Sequence, residues 1–148
     1  MEDITESFEK LGVVPVVVLE DAKDAVPLAT ALVKGGLPCA EVTFRTEAAE
    51  ESIRLMMEQF PKMLVGAGTV LTVEQVDAAV RAGAKFIVSP GLMQRLWIIA
   101  SKMKFRSSRA VSPSEVAQAV KRGLKVVKFF PAEPAGGISM IKQWQHLM

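Results

Sequence analysis

Apolar residues along this chain come in short dense runs, separated by segments in which they return every three or four positions. This is the signature of strands alternating with amphipathic helices. A short helix is predicted over Ile4 to Leu11, followed by a strand from Val13 to Leu19. Asp21 or its neighbour caps a helix whose apolar stripe is Ala25, Leu28, Ala29, Leu32 and Val33, and Gly35-Gly36 ends it. A second strand runs from Cys39 to Phe44, and a helix from about Glu47 to Phe60 is stopped by Pro61. Met63 to Gly66 makes a third strand, Thr72 opens a helix that closes at Gly83, and Phe86 to Val88 makes a fourth strand before Ser89-Pro90-Gly91 turns the chain. Leu92 to Met103 reads as a helix. Ser112-Pro113-Ser114-Glu115 starts another that Gly123 ends, and the run Lys125 to Phe130 is a final strand. Gly36-Leu37, Gly83-Ala84 and Gly123-Leu124 each join a helix to the next strand in a weak internal repeat. Short βα connections of this kind imply a parallel sheet. A barrel and an open doubly wound sheet both fit, and both gather ligands at the C-terminal ends of their strands.

One charge interrupts this pattern where a buried strand is expected. Lys128 stands within Val126-Val127-Lys128-Phe129-Phe130-Pro131. An ammonium among Val and Phe loses hydration, which favours the neutral amine that attacks a ketone, so a Schiff-base lysine is one reading. A lysine whose stem packs on apolar neighbours while its head reaches water is the other. In Ala40-Glu41-Val42-Thr43-Phe44-Arg45-Thr46, a period of two puts Glu41, Thr43 and Arg45 on one face of the second strand. If that face lines a site, Glu41 moves protons and Arg45 holds a substrate carboxylate. Otherwise the two form an ion pair at the strand end. Gly66-Ala67-Gly68-Thr69 brings backbone amides and the Thr69 hydroxyl near a ligand or serves as a small-residue turn, and Pro90 shapes a wall or simply turns the chain.

Composition narrows the classes. The 148 residues suit one domain spanning 1–148, and half of them are hydrophobic, which excludes disorder. The net charge is +2 with cations scattered among acids, so no nucleic-acid face is expected, while small anionic substrates fit. The lone Cys39 lies in an apolar strand and cannot make an intrachain disulfide, which favours a reducing compartment. The acidic start Met1-Glu2-Asp3 does not resemble a secretory signal, and no apolar stretch approaches a bilayer span, so a cytoplasmic location without membrane contact is expected. The sole histidine, His146, makes no metal site, and neither metal nor other cofactor is expected. Trp97 and Trp144 read as packing or interface residues.

Five motifs taken in order resemble the family of 2-keto-3-deoxy-6-phosphogluconate (KDPG) aldolase and 4-hydroxy-2-oxoglutarate (KHG) aldolase. They are Val14-Pro15-Val16, Glu41 to Thr46, Val65 to Val70, Ser89-Pro90-Gly91 and Lys128 to Glu133. The resemblance covers about residues 10 to 91 and 112 to 142. It implies an α/β fold of the (β/α)8 TIM-barrel type, a homotrimer, and a metal-independent class I aldolase that releases pyruvate from a small 2-keto acid. In that family pattern Lys128 matches the Schiff-base lysine and Glu41 the acid/base residue. Arg45, on the pyruvate carboxylate, Thr69, Pro90 and Phe130 match substrate-pocket positions.

The chain departs from the pattern after Gly91. Lys104 to Arg109 holds three cations and two serines around one Phe, a poor composition for the buried fifth strand, which is therefore not expected to form. The tail from Gln143 to Met148 does not resemble the family. With strands seven and eight and their Gly-rich phosphate loops unaccounted for, an incomplete barrel of about six βα units is expected, with the edges of strands one and six unpaired. Besides the aldolase, two other readings remain open: an inactive truncated fragment or subunit of the family, and a non-covalent carboxylate- or phosphate-binding α/β module.

Overall fold

A computed structural model describes residues 4–91 and 106–144. Its elements run in the order α1 (Ile4–Leu11), β1 (Val16–Val17), a 3-10 turn (Ala22–Asp24), α2 (Ala25–Lys34), β2 (Cys39–Thr43), α3 (Ala49–Gln59), β3 (Leu64–Gly68), α4 (Val73–Arg81) and β4 (Phe86–Ser89). These are followed by β5 (Arg106–Ala110), α5 (Pro113–Lys121), β6 (Val127–Phe129) and α6 (Gly137–Trp144). Every pairing is parallel and the strand order is β1-β2-β3-β4-β5-β6, so each strand lies beside the next in sequence. That is the winding of the TIM-barrel fold, here with six strands among the described residues. β1 and β6 are the two outer strands of the sheet.

Period two sorts the strand residues between two cores. Ala40, Val42, Val65, Ala67 and Ile87 face the helices, where they pack with Ala29 of α2, Ile53 and Met56 of α3 and Val76 of α4. Cys39, Leu64, Phe86 and Val88 face the other way and gather with Ile4, Phe8 and Leu11 of α1 and with Val126 just ahead of β6. Residues of β2, β3, β4 and the approach to β6 thus meet in one cluster, and the sheet is curled around this inner core. Phe8 stacks edge-on against Phe86, ring centroids 5.0 Å apart, so α1 plugs the end of the curl at which the strands begin.

Local sequence explains the helix starts. Thr72 and Ser112 each form a capping box, with Gln75 and Glu115 respectively. Pro113 follows Ser112 at the first helical position, where its missing N–H is no loss.

Four expectations change. The fifth strand does form: β5 pairs Ile87↔Arg106 to Ser89↔Ser108 on one side and Ser108↔Val127 to Ala110↔Phe129 on the other. A strand with a neighbour on both sides is held by backbone bonds, and its buried positions Ser107 and Ala110 are small enough to fit. β3 runs two residues beyond Gly66, so Gly66-Ala67-Gly68 is strand rather than turn. β2 stops at Thr43, and β1 is reduced to two residues, with Val13, Val16 and Val18 exposed beside a strand that has a single neighbour. Trp144, read as a packing residue, is one: it ends α6 and packs edge-on against Phe129 of β6 at 4.9 Å between ring centroids. The expected helix over 92–103, with Trp97, lies outside the described residues, as does His146. No described helix is long and apolar enough to cross a membrane.

Candidate active site

The inner face continues upward from the apolar cluster by one step of the strand period. Two residues beyond Cys39 is Glu41, and two beyond Val126 is Lys128. There the two side chains meet across the curl: Lys128 Nζ donates to Glu41 Oε1 at 2.9 Å and to Oε2 at 3.0 Å. Glu41 is buried, only 5% exposed, whereas the Lys128 side chain keeps 29% of its surface accessible. The pair therefore has one deep and one reachable member. It differs from surface pairs such as Arg54 with Glu51 and Glu58, or Arg81 with Glu50, which brace helices in solvent.

Neighbouring residues fix this geometry. Thr43, next along the same face of β2, is fully buried and donates from its hydroxyl to the Val17 carbonyl at 3.2 Å, tying β2 to β1. Glu41 lies opposite Gly66 of β3 and diagonal to Gly68. A Cβ built on Gly68 would run into the Glu41 carboxylate, and one on Gly66 into the Phe86 ring. Glycine at both positions gives the neighbouring side chains room, a constraint for which a glycine inside a strand is the signal. The reading of Gly66-Ala67-Gly68-Thr69 as a turn missed it.

The other sequence candidates line the rim at the C-terminal ends of the parallel strands. Arg45 follows β2, Thr69 follows β3, Pro90 follows β4 and Phe130 follows β6. The Phe130 ring centroid is 5.6 Å from Lys128 Nζ and the residue is 46% exposed, so the lysine head lies beside an open aromatic face. Thr69 adopts φ 55°, a left-handed conformation that a β-branched residue enters only under strain. The hydrogen bonds of Phe44 N to Gly68 O at 2.8 Å and Val70 N to Val88 O at 3.3 Å hold the backbone on either side of it. Pro90 is partly buried. Arg45 is exposed and stands in a turn after the strand end, and the Glu41 carboxylate pairs with Lys128, so the alternative of a Glu41–Arg45 pair at the strand end is set aside. Among the described residues, no group of His, Cys, Asp and Glu is arranged to hold a metal ion.

The fold is that of a β/α-barrel protein, and at the open end of its curled parallel sheet a primary amine is hydrogen-bonded to a buried carboxylate. A model of the KDPG and KHG aldolase family matches residues 4–146, and the chain belongs to that family. The match runs through the stretch after Gly91 and into the tail, both of which had been read as departures from the family pattern. The 2-dehydro-3-deoxy-phosphogluconate aldolase of Haemophilus influenzae is 44% identical over 142 residues, covering 95% of this chain and 67% of the relative. The KHG/KDPG aldolase of Escherichia coli K12 is 43% identical over 131 residues, covering 88% and 62%. The KDPG aldolase of Legionella pneumophila, solved with pyruvate captured as a covalent carbinolamine, superposes with a TM-score of 0.85 at 40% identity, covering 91% of this chain and 66% of that one. The chain thus spans about two thirds of the length of the relatives it matches.

Proposed function

We propose that this chain is a class I aldolase, a lyase that cleaves KDPG or 4-hydroxy-2-oxoglutarate to pyruvate and an aldehyde, glyceraldehyde 3-phosphate or glyoxylate. The observation that carries the reading is the contact of Lys128 Nζ with both oxygens of the Glu41 carboxylate. The covalent carbinolamine in the Legionella relative supports it.

In this reading Glu41 takes a proton from Lys128, and the neutral amine adds to the C2 carbonyl of the substrate. The same carboxylate returns a proton to the carbinolamine hydroxyl, which leaves as water and gives a protonated imine. The C4 hydroxyl then gives its proton to the Glu41 carboxylate, the C3–C4 bond breaks, and its electron pair flows into the imine to form an enamine while the aldehyde departs. Protonation at C3 and hydrolysis release pyruvate and restore the amine. Arg45, on the rim, holds the substrate carboxylate, Thr69 and Pro90 line the pocket, and Phe130 forms the wall beside the amine. No added metal or cofactor enters these steps. The reading includes a single domain over 1–148, a homotrimer and a cytoplasmic location. No specific observation favours the inactive fragment or the non-covalent binding module.

The test is pyruvate release from each substrate, followed by coupled reduction to lactate. Pyruvate formation by the wild-type chain that is absent in Lys128→Ala is the expected result, and no pyruvate from either substrate overturns the proposal.

A further inference from the structure

Gly68 has no catalytic atom, yet the geometry around it singles it out. It is the last residue of β3, on the same face as Gly66, with Thr43 as its register partner and Glu41 diagonal to it. A Cβ placed there would collide with Oε1 of Glu41 and lie 2.8 Å from its Cγ and 2.9 Å from its Cδ; all three of the nearest atoms belong to that one side chain. Gly66 offers the internal comparison. There the added atom meets the Phe86 ring, which is 1% exposed and locked against Phe8. A methyl at 66 strikes packed core, whereas a methyl at 68 strikes the movable end of the side chain that holds Lys128. The Gly68 backbone is not among the positive-φ positions, so its conformation itself accepts alanine.

We propose that Gly68 is a positioning residue: the space left by its missing side chain seats the Glu41 carboxylate against Lys128, and any larger residue turns the carboxylate away from the amine. The inference rests on the aldolase reading for its effect on turnover, but the seating itself is measurable without turnover. With Gly68→Ala, the fold accommodates the methyl by rotating Glu41, at the expense of the contact with Nζ. The glycine is thus held by the site rather than by the fold.

The experiment compares wild type, Gly68→Ala, Glu41→Ala and the double variant. Unfolding temperature is read by circular dichroism, and the rate of acetic anhydride labelling of Lys128, relative to exposed lysines, by peptide mass spectrometry. Gly68→Ala is expected to label Lys128 at the rate of Glu41→Ala rather than of wild type and, if the chain is an aldolase, to lower kcat at least tenfold. In the Glu41→Ala background the three atoms nearest the added methyl are gone, so the double variant is expected to match Glu41→Ala in both labelling and unfolding temperature. Wild-type labelling in Gly68→Ala overturns the proposal. So does a Gly68→Ala change that unfolds the chain equally with or without the Glu41 side chain. A wild-type chain that releases no pyruvate overturns the aldolase reading alone, because the labelling comparison still decides the role of Gly68.

Discussion

Lys128 Nζ lies 2.9 Å from Oε1 and 3.0 Å from Oε2 of Glu41, although three strands stand between β6 and β2 in the sheet. Adjacent strands are spaced about 4.8 Å apart, so a flat sheet would hold these two residues roughly 19 Å from each other. The contact is therefore a direct measure of how far the sheet has curled. It also makes the strand order part of the chemistry, since neither residue has its partner without the curl.

Two substitutions separate the roles of the two members of the pair. Glu41→Gln keeps the shape of the side chain but cannot take a proton, and pyruvate release is expected to fall by about a hundredfold to ten-thousandfold, the usual size of a lost acid/base step. Lys128→Met removes the nucleophile and also leaves the buried Glu41 carboxylate without its donor. It is expected to abolish turnover and to lower stability by about 1–3 kcal/mol, read from urea unfolding. Equal stability of Lys128→Met and wild type would show that the pairing is not maintained in solution.

Gly66→Ala tests the inner core. The added methyl has to displace the buried Phe86 ring, and overpacking of this kind costs about 1–3 kcal/mol. A fall in the denaturant midpoint is expected, and an unchanged midpoint would mean that α1 and Phe86 do not close the inner core as described.

The capping box of α5 gives a pH prediction. The Val111 N–H, followed by hydrogen bonds from Ser112, holds the Glu115 carboxyl below its ordinary value. A carboxylate with a lowered folded pKa contributes stability that is present above the unfolded value, about 4.3, and is lost as pH falls through the folded value. Glu115→Gln should therefore flatten part of the stability loss below about pH 4.3, as followed by thermal melts. Ser112→Ala should cost about 1 kcal/mol at neutral pH.

Cys39 offers a probe of folding. It is fully buried beneath the site, its Sγ lies 3.3 Å from the Val13 carbonyl, and burial pushes its thiol pKa up. Thiol reagents at neutral pH should react with it only as the inner core opens, so its labelling rate should follow global unfolding. Fast labelling of the native chain would contradict the closed inner core.

How far the sequence foretells this arrangement depends on how local each cause is. The helix starts at Thr72 and Ser112, the strands around Val42, Ile87 and Lys128, and the singling out of Glu41 and Lys128 all follow from capping chemistry and short-range periodicity. Whether Glu41 pairs with Arg45 or with Lys128 is decided by the curl of the sheet, a property of five strands that no window on β2 contains. β5 escaped the sequence reading because two flanking ladders hold a strand whose own composition argues against it. Gly68 escaped because its significance lies in an atom it lacks and in a side chain 27 positions earlier in the chain.

In the proposed reaction Lys128 is the amine that bonds to the substrate carbon. The most direct measurement is to incubate the purified chain with pyruvate and sodium borohydride, then map the product by peptide mass spectrometry. The expected product is a reduced pyruvyl adduct on Lys128 that is absent in Lys128→Ala and forms more slowly in Glu41→Gln. A folded chain that yields no adduct, or one that carries it on another lysine, would contradict it.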